Sequence, residues 1–532
     1  MVFRPLRRRI PARAAAALAA AIPAATLLAT ALPARHAAAQ DRQVVPRIEL
    51  REAFTDNARQ TSRDKKSDFV TTVSPGIGVM SRGAGLKLDL DYALGYDAYL
   101  REHDLNGVRH DLRGTGTAEI LRDQLMVDFG AFAGQSPVLA RGTTSAIDRR
   151  QADGGAAQFY SYTLSPYWRT RLGSWADGEA RYRFGQALAR RDGPDPASGS
   201  PPPTISDTDI HVVSGYLQGG EEFGRLTWRA GAEHAETRLS DGRDGDARRI
   251  GGSSATYRRD TVELRPGWAL TRQVALIGAV GHDRIESGDF REDLSEPFWN
   301  AGLRLTPSER TRLEFAYGER YGGNSWSSSG SVATEAGTTF TLSYREAVEN
   351  QALQSQSGLS FLARDASGQI VDTRTGLPYV GRDPSFDQSD RTFLSRSLLA
   401  TLRIPWPRDT LLLSAQHARR DTRFSGITTG SDRSDRTISA AGSWEHRLTP
   451  VISSAATLSY SDTRSEQDAS ADGDARTWTA RIGLAWDVNE TLRAGAGVAH
   501  LRREVTGPRL QPSEFSGSYD ENVVFVTLRK TF

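Results

Sequence analysis

The chain has no cysteine. It therefore holds no disulfide framework, no thiolate metal site and no cysteine nucleophile. Long apolar runs are also missing beyond the first 40 residues. A transmembrane helix needs roughly 20 consecutive apolar residues, so a helical membrane protein is excluded. Only 38% of the 532 residues are hydrophobic and 25% are charged. Disorder does not follow from this, because Leu, Val, Ile, Trp, Tyr and Phe recur along the whole length. Length alone suggests two to four domains, and the periodicity described below argues for one.

The N-terminus stands apart. Arg4, Arg7, Arg8, Arg9 and Arg13 precede an uncharged, Ala- and Leu-rich stretch from residue 14 to 32, and Ala37 and Ala39 supply an A-x-A pattern before Gln40. This order of charge, apolar core and small residues reads as a secretory signal peptide over residues 1–39. The competing reading, a membrane anchor helix, is weakened by Pro23 and by the many alanines. The residues around Arg7-Arg8-Arg9 do not support twin-arginine export. Segment 1–39 carries six arginines and no acid, so residues 40–532 keep 61 basic against 65 acidic residues. A basic nucleic-acid binder is not indicated.

Residues 40–532 have a period of two. Leu86, Leu88, Leu90, Tyr92, Leu94 and Tyr96 alternate with Lys87, Asp89, Asp91, Ala93 and Gly95. Successive residues of a strand point to opposite faces, so one face here is apolar and the other charged or small. Tyr160, Tyr162, Leu164, Trp168 and Leu172 share a phase, as do Trp299, Ala301, Leu303 and Leu305, then Leu313, Phe315 and Tyr317, and finally Trp478, Ala480, Ile482, Leu484 and Trp486. Many runs extend over about 11 to 15 residues. Strands of a soluble sandwich usually run about 5–6 residues, whereas a bilayer-crossing strand needs roughly 9–11.

The connections alternate in length. Short links are expected near 82–85, 122–124, 173–175, 221–224, 271–273, 307–310, 348–351, 406–408, 449–450 and 488–490. Long polar links are expected near 56–67, 99–108, 135–156, 189–208, 239–250, 287–293, 322–334, 363–390, 425–435, 465–475 and 504–517. The pattern predicts an all-β, antiparallel, up-and-down transmembrane barrel of about 22 strands (range 16–22), with short links periplasmic and long links extracellular. The count includes a strand over 354–362. The link containing Gly193-Pro194-Asp195-Pro196 and Pro201-Pro202-Pro203 cannot hold helix or sheet; it reads as a surface loop, or as a recognition loop for a cell-surface partner.

Several stretches resemble one family. They are Pro46-Arg47-Ile48-Glu49-Leu50-Arg51-Glu52-Ala53-Phe54-Thr55-Asp56-Asn57, Ser67-Asp68-Phe69-Val70, Val73-Ser74-Pro75-Gly76, Glu296-Pro297-Phe298-Trp299-Asn300-Ala301-Gly302-Leu303-Arg304-Leu305-Thr306-Pro307-Ser308 and Tyr317-Gly318-Glu319-Arg320-Tyr321-Gly322-Gly323-Asn324. They are similar to the outer-membrane β-barrel family associated with PEP-CTERM and exosortase sorting systems of Gram-negative bacteria that make exopolysaccharide. The resemblance spans roughly residues 44–532, and its central segment is the discriminating part. It implies the outer membrane and an association with polymer export, and it supplies no catalytic residues and no agreed substrate.

The charged phase of the strands supplies the candidate pore lining: Lys87, Asp89, Asp91, Glu179, Arg181, Arg183, Arg304, Arg312, Glu314, Arg320 and Arg481. A salt-bridged, solvated interior explains them as well as a charge ladder selecting polar or anionic solutes does. Two Asp/Gly clusters, 241–246 and 472–474, read as turns sooner than as calcium loops, since neither fits a twelve-residue loop ending in Glu. Tyr92, Tyr96, Trp168, Trp228, Trp299, Trp406, Trp478 and Trp486 share the apolar phase and read as interface girdles. Histidines 103, 110, 211, 234, 282, 417, 446 and 500 are scattered singly, without H-E-x-x-H, P-loop or G-x-S-x-G motifs. No enzyme, cofactor or metal is expected. A receptor with a plug domain is disfavoured, because strand-like sequence starts near residue 47. The expected partners are outer-membrane lipid, the barrel assembly machinery, and polysaccharide or small polar solutes. A structural or adhesive surface barrel with binding loops and no conducting pore is the alternative.

The chain ends Val524, Val526, Leu528, Lys530, Phe532 in one phase, which resembles the C-terminal assembly signal of outer-membrane barrels apart from Lys530. Deleting Phe532 is expected to lower outer-membrane abundance and raise periplasmic proteolysis, measured by fractionation and heat-modifiable gel migration. Unchanged abundance and migration would remove the signal role of this residue.

Overall fold

The computed structural model describes residues 41–137, 145–147, 156–190, 207–240, 256–288, 290, 293–364, 370–373, 391–424, 427–428, 433–467, 473–506 and 517–532. The proposed signal peptide and the Asp/Gly cluster at 241–246 lie outside them, as does most of the expected 189–208 and 363–390 links. Among the described residues no helix is long and apolar enough to cross a membrane; the crossing elements are strands.

Twenty-two of these strands form one sheet. In chain order they are β1 Asp41–Thr55, β2 Asp68–Arg82, β3 Leu86–Tyr99, β4 Gly107–Leu121, β5 Leu125–Pro137, β6 Ala156–Leu172, β7 Ala176–Arg190, β8 Asp207–Gly219, β9 Leu226–Ser240, β10 Thr256–Ala269 and β11 Val274–Ser287. There follow β12 Leu294–Ser308, β13 Thr311–Arg320, β14 Gly323–Ala333, β15 Thr339–Glu349, β16 Phe393–Pro405, β17 Asp409–Asp421, β18 Arg433–Arg447, β19 Ile452–Gln467, β20 Gly473–Asn489, β21 Leu492–Thr506 and β22 Tyr519–Thr531. Each pairs antiparallel with its sequence neighbours. β22 returns to β1, from Arg47↔Thr531 to Thr55↔Val523, and closes an up-and-down barrel. Phe532 extends this seam: its backbone N–H donates to the Pro46 carbonyl at 2.9 Å.

The two faces follow the alternation in the sequence. Leu217, Val262, Val280, Trp299, Phe315, Leu458, Ile482 and Val524 are exposed on the outer face. An apolar face on a closed barrel is what lipid demands, because backbone groups in hydrocarbon must find their partners within the wall. Outward aromatics form two girdles. Trp168, Trp228, Trp268, Trp406, Trp444 and Trp486 lie toward the end with the short links, and Trp299, Trp326, Trp478 and Tyr460 toward the other. On β20 the eight-residue interval from Trp478 to Trp486 spans roughly 20 Å of barrel height, for a rise of about 3.3 Å and a tilt near 40°.

Two expectations fail in the same neighbourhood. The expected long link at 322–334 is β14, entered through a tight turn at Tyr321 and Gly322 with φ of 55° and 70°. Positive φ at both positions is the geometry of a two-residue hairpin turn. β14 escapes a reading by hydrophobicity because Ser327, Ser328, Ser329 and Ser331 fill both faces. The expected strand at 354–362 is instead a helix, α1, Gln351–Leu359. Asn350 caps it, its Oδ1 accepting from the Leu353 N–H at 3.0 Å. The 348–351 link is therefore the entry to a long excursion between β15 and β16, and the real short link joins β14 to β15 across 334–338, with Gly337 at φ 82°. One missed strand and one false strand cancel, so the count of 22 stands.

Both chain ends of the barrel lie with the short links. A cysteine replacing Arg63, in the β1–β2 link, is expected to react with an impermeant maleimide on intact cells. One replacing Glu309, in the β12–β13 turn, is expected to react only after the outer membrane is permeabilised. The reverse pattern would invert the topology.

Candidate functional site: the barrel lumen

All eleven candidate lining residues fall on the inner face. Tyr182 points outward from β7 and is exposed, so Glu179, Arg181 and Arg183 point in. The same argument from Leu303, Phe315 and Ile482 turns Arg304, Arg312, Glu314, Arg320 and Arg481 inward, and Tyr96 does so for Lys87, Asp89 and Asp91.

Most of these charges are tied to neighbours. Arg181 pairs with Asp128 at 2.8 Å and Glu179 at 3.0 Å, and Arg169 reaches the same Glu179 at 3.0 Å. Arg304 and Arg312 share Glu314 at 2.6 and 2.7 Å. Arg320 pairs with buried Asp283 at 2.6 Å and lies over the Phe298 ring at 4.1 Å. Asp91 pairs with Arg47 at 2.5 Å. Arg481 lies over Phe525 at 4.7 Å. The solvent-exposed Arg169 and Arg312 contribute about 0–1 kcal/mol through such pairs, so they shape the potential of the wall more than its stability. Arg183 has no carboxylate within ion-pair distance among the described residues. Arg229 is held by the Tyr216 ring at 3.7 Å.

The lumen is filled at one end and wet at the other. Toward the short links the inward Arg169, Arg171, Arg265, Arg312 and Arg493 are exposed. Toward the long links the inner face is buried against two segments that fold inward. The first is α1, whose Ala352, Leu353 and Leu359 pack with Phe132, Phe159, Ala187, Ile210, Tyr257 and Ile285. Gly130 and Gly185 make room for it. A Cβ at Gly130 would sit 3.2 Å from Leu359 Cβ, and one at Gly185 would overlap the Gln356 amide. The buried Gln356 amide has no hydrogen-bond partner among the described residues. An unpaired buried amide costs about 1–3 kcal/mol, so α1 is docked but not tightly specified.

The second inward segment is residues 145–147 of the β5–β6 link. Glu521 of β22, fully buried, accepts from the Ser145 hydroxyl at 3.1 Å, the Ala146 N–H at 3.1 Å and the Thr55 hydroxyl at 3.0 Å. Ile147 then packs with Leu501, Tyr519, Val523 and Phe525. One carboxylate thus joins the seam of the barrel to an inserted link. Nothing local in the sequence marks Glu521, because its partners come from β1 and from the β5–β6 link.

Among the described residues no group of three or more His, Asp or Glu converges on a metal site. Gly473 and Asp474 begin β20 and hold no loop. His110, His211, His234, His282, His417 and His500 all lie on the outer face, in the half nearer the long links. Five of them, all but His417, place a ring nitrogen on an outer-face partner, as in His211 with Tyr182 at 2.8 Å and His500 with Asn522 at 2.8 Å. Outside the spanning segments, the Arg59 guanidinium hydrogen-bonded to it holds the Asp104 carboxyl below its ordinary range.

No family model matches the chain. No curated protein matches it. Solved structures do. A variant of the ferric enterobactin receptor of Pseudomonas aeruginosa is 13% identical, with TM-score 0.46, over 92% of this chain and 80% of that one. The siderophore receptor PirA of Acinetobacter baumannii is 9% identical, with TM-score 0.47, over the same shares. OccK2 (OpdF) of Pseudomonas aeruginosa is 10% identical, with TM-score 0.34, over 92% and 98%. These likenesses concern the fold alone.

Glu521→Ala removes the acceptor shared by three donors among the described residues, and a hydrogen bond to a charged group is worth about 1.5–3 kcal/mol. The expected outcome is a lower temperature for loss of the fast-migrating folded form on a gel, with Glu521→Gln in between. An unchanged midpoint for Glu521→Ala would remove the anchoring role.

Proposed function

We propose that the chain is a non-enzymatic outer-membrane barrel whose lumen takes polar, net anionic solutes, and that it serves exopolysaccharide export or PEP-CTERM protein sorting. The observation that carries the solute class is a lumen cavity of about 390 Å³. Seven arginines (181, 183, 229, 259, 265, 320 and 345) line it against four glutamates (179, 233, 263 and 346). Asp128, Asp283 and Glu349 engage Arg181, Arg320 and Arg345 from beside it, which leaves Arg183 and Arg229 as the lining cations with no acidic partner at ion-pair distance among the described residues. The seven arginines and these seven acids balance in number, so the preference for anions rests on Arg183 and Arg229, whose charge no carboxylate neutralises at ion-pair distance. The polymer association rests on the resemblance of 46–57, 296–308 and 317–324 to the PEP-CTERM-linked barrels. The outer membrane is supported by the closed barrel, its apolar outer face and its two aromatic girdles.

A second reading has its own observation. α1 and residues 145–147 bury the inner face near the long links, which favours a barrel that does not conduct and binds through its links. Planar-bilayer recording separates the two. The first reading expects conductance with a reversal potential favouring chloride over potassium. Arg183→Glu is expected to move that potential toward potassium, and an anionic oligosaccharide to block more than a neutral one of equal length. Absence of conductance in folded protein favours the second reading, and cation selectivity in the native chain overturns the first.

A further inference from the structure

Toward the long links the outer face carries charge, and two sectors of it differ. On β7 to β11 four outward arginines (190, 238, 258 and 284) stand among five outward carboxylates, Asp207, Asp209, Glu236, Asp260 and Glu286. Arg190 pairs with Asp207, Arg238 and Arg258 with Glu236, and Arg284 with Glu286. On β16 to β20 the balance reverses. Arg396, Arg419, Arg436, Arg464 and Arg476 share the phase of exposed Leu398, Leu413, Ile438, Leu458 and Trp478, so they point outward. Among the described side chains they meet four carboxylates. Buried Asp421 is shared by Arg396 and Arg419, each at 2.8 Å. Asp462 is shared by Arg464 at 3.2 Å and Arg476 at 3.6 Å. Glu346 reaches Arg396 at 3.8 Å, and Asp474 lies opposite Arg464 in the ladder. Arg436 is exposed and has no carboxylate at ion-pair distance among the described residues.

The register turns this excess into a row. Arg419 is paired with Arg436, and Arg436 with Arg464. Three arginines therefore stand directly opposite one another on neighbouring strands, with Cβ atoms about 4.5–5.5 Å apart, and like charges so placed destabilise a sheet. Toward the short links the same face turns apolar, with Leu413, Ile438 and Leu458 exposed and the Tyr460 and Trp478 rings 4.3 Å apart. Arg436 lies eight residues from Trp444 on β18, the interval that separates Trp478 from Trp486 on β20. The row thus stands at the height of the outer girdle, where hydrocarbon gives way to head groups. The ladders of β17, β18 and β19 are continuous through this sector, so acyl chains here meet side chains and no free backbone group.

We propose that the outer face of β17 to β19 docks a phosphorylated lipid of the outer leaflet. Its phosphate lies on Arg419, Arg436 and Arg464, and its acyl chains lie on Ile438, Leu458 and Tyr460. A phosphate accepts hydrogen bonds from several guanidinium groups at once, and its charge relieves the repulsion along the row. The occupant is a lipid and not a free anion, because the apolar face continues directly from the cations. The inference rests on the outer-membrane placement above and not on anything crossing the lumen.

The test uses the folded barrel in dodecyl maltoside with diphosphoryl lipid A as the probe. Native mass spectrometry reads the lipid retained, and loss of the fast-migrating band on a gel reads the unfolding midpoint. Lipid A is expected to stay bound and to raise the midpoint; dephosphorylated lipid A and inorganic phosphate should do neither. Arg436→Gln should lower retention about tenfold, the loss of one charge-assisted contact. Arg258→Gln, in the balanced sector, should leave it unchanged. Without lipid, Arg436→Gln should unfold at or above the native midpoint, because a like charge is gone; with lipid A it should unfold below it. Equal retention of the dephosphorylated lipid would overturn the proposal, as would equal losses for the two variants or retention indifferent to Arg436→Gln. A midpoint raised by inorganic phosphate alone would assign the row to free anions and overturn the lipid. A lower midpoint for Arg436→Gln without lipid would reduce Arg436 to a structural role. If that variant does not fold, Arg464→Gln should show the same loss of retention, and undiminished binding would sink the idea. Chloride selectivity reports on the lumen and maleimide labelling on the topology, so those readings can fail without this one.

Discussion

The structure rests on the demand that backbone polar groups in lipid be paired within the chain. Helices could satisfy it, but residues 41–532 have no apolar run for them. A closed antiparallel sheet is the remaining solution, and closure removes the edges that an open sheet would leave. The outer face then has to be apolar and the inner face is free to be charged. The alternation of Leu90 and Asp91 on β3, or of Ile482 and Arg481 on β20, meets both requirements residue by residue.

That alternation is also why the fold could be read from the sequence. Where lipid sits on one face and water on the other, the contrast between successive residues is large, and β3, β12, β20 and β22 are legible. It fades where contrast fades. β14 carries serine on both faces, and its entry turn at Tyr321 and Gly322 is shorter than the other links on its side. α1 has a polar composition and was masked by the rhythm of the neighbouring strands. Its helical state depends on the Asn350 cap and on a lumen wall in which Gly130 and Gly185 leave space, neither of which is local.

The candidate site was legible only by face. Phase put all eleven charged residues on the inner wall. Phase is silent on which residues share a level, so it could not bring Arg259 of β10, Arg320 of β13 and Arg345 of β15 to one cavity. Glu521 and the arginine row on β17 to β19 were out of reach for the same reason. Glu521 depends on contacts between segments far apart in the chain, and the row on the register between strands. The inner face as built divides the lumen between a solvated half bearing arginines and a half occupied by α1 and residues 145–147. A solute crossing the barrel in either direction would have to pass both.

The Thr55–Glu521 hydrogen bond joins residues 466 positions apart. Almost every other ladder in the barrel joins strands that are neighbours in sequence, so those pairings can form as the chain arrives. The seam cannot. Its loop-closure entropy falls due only after all the rest is ordered, and long-range pairings of this kind are intrinsically slow. The unclosed barrel is thus an obligatory species with two open edges, and its lifetime is set by how fast β1 and β22 find one another. A buried carboxylate on β22 that also captures an inserted link makes that last encounter register-specific. A slip by one residue would carry Glu521 to the lipid side, where no partner waits.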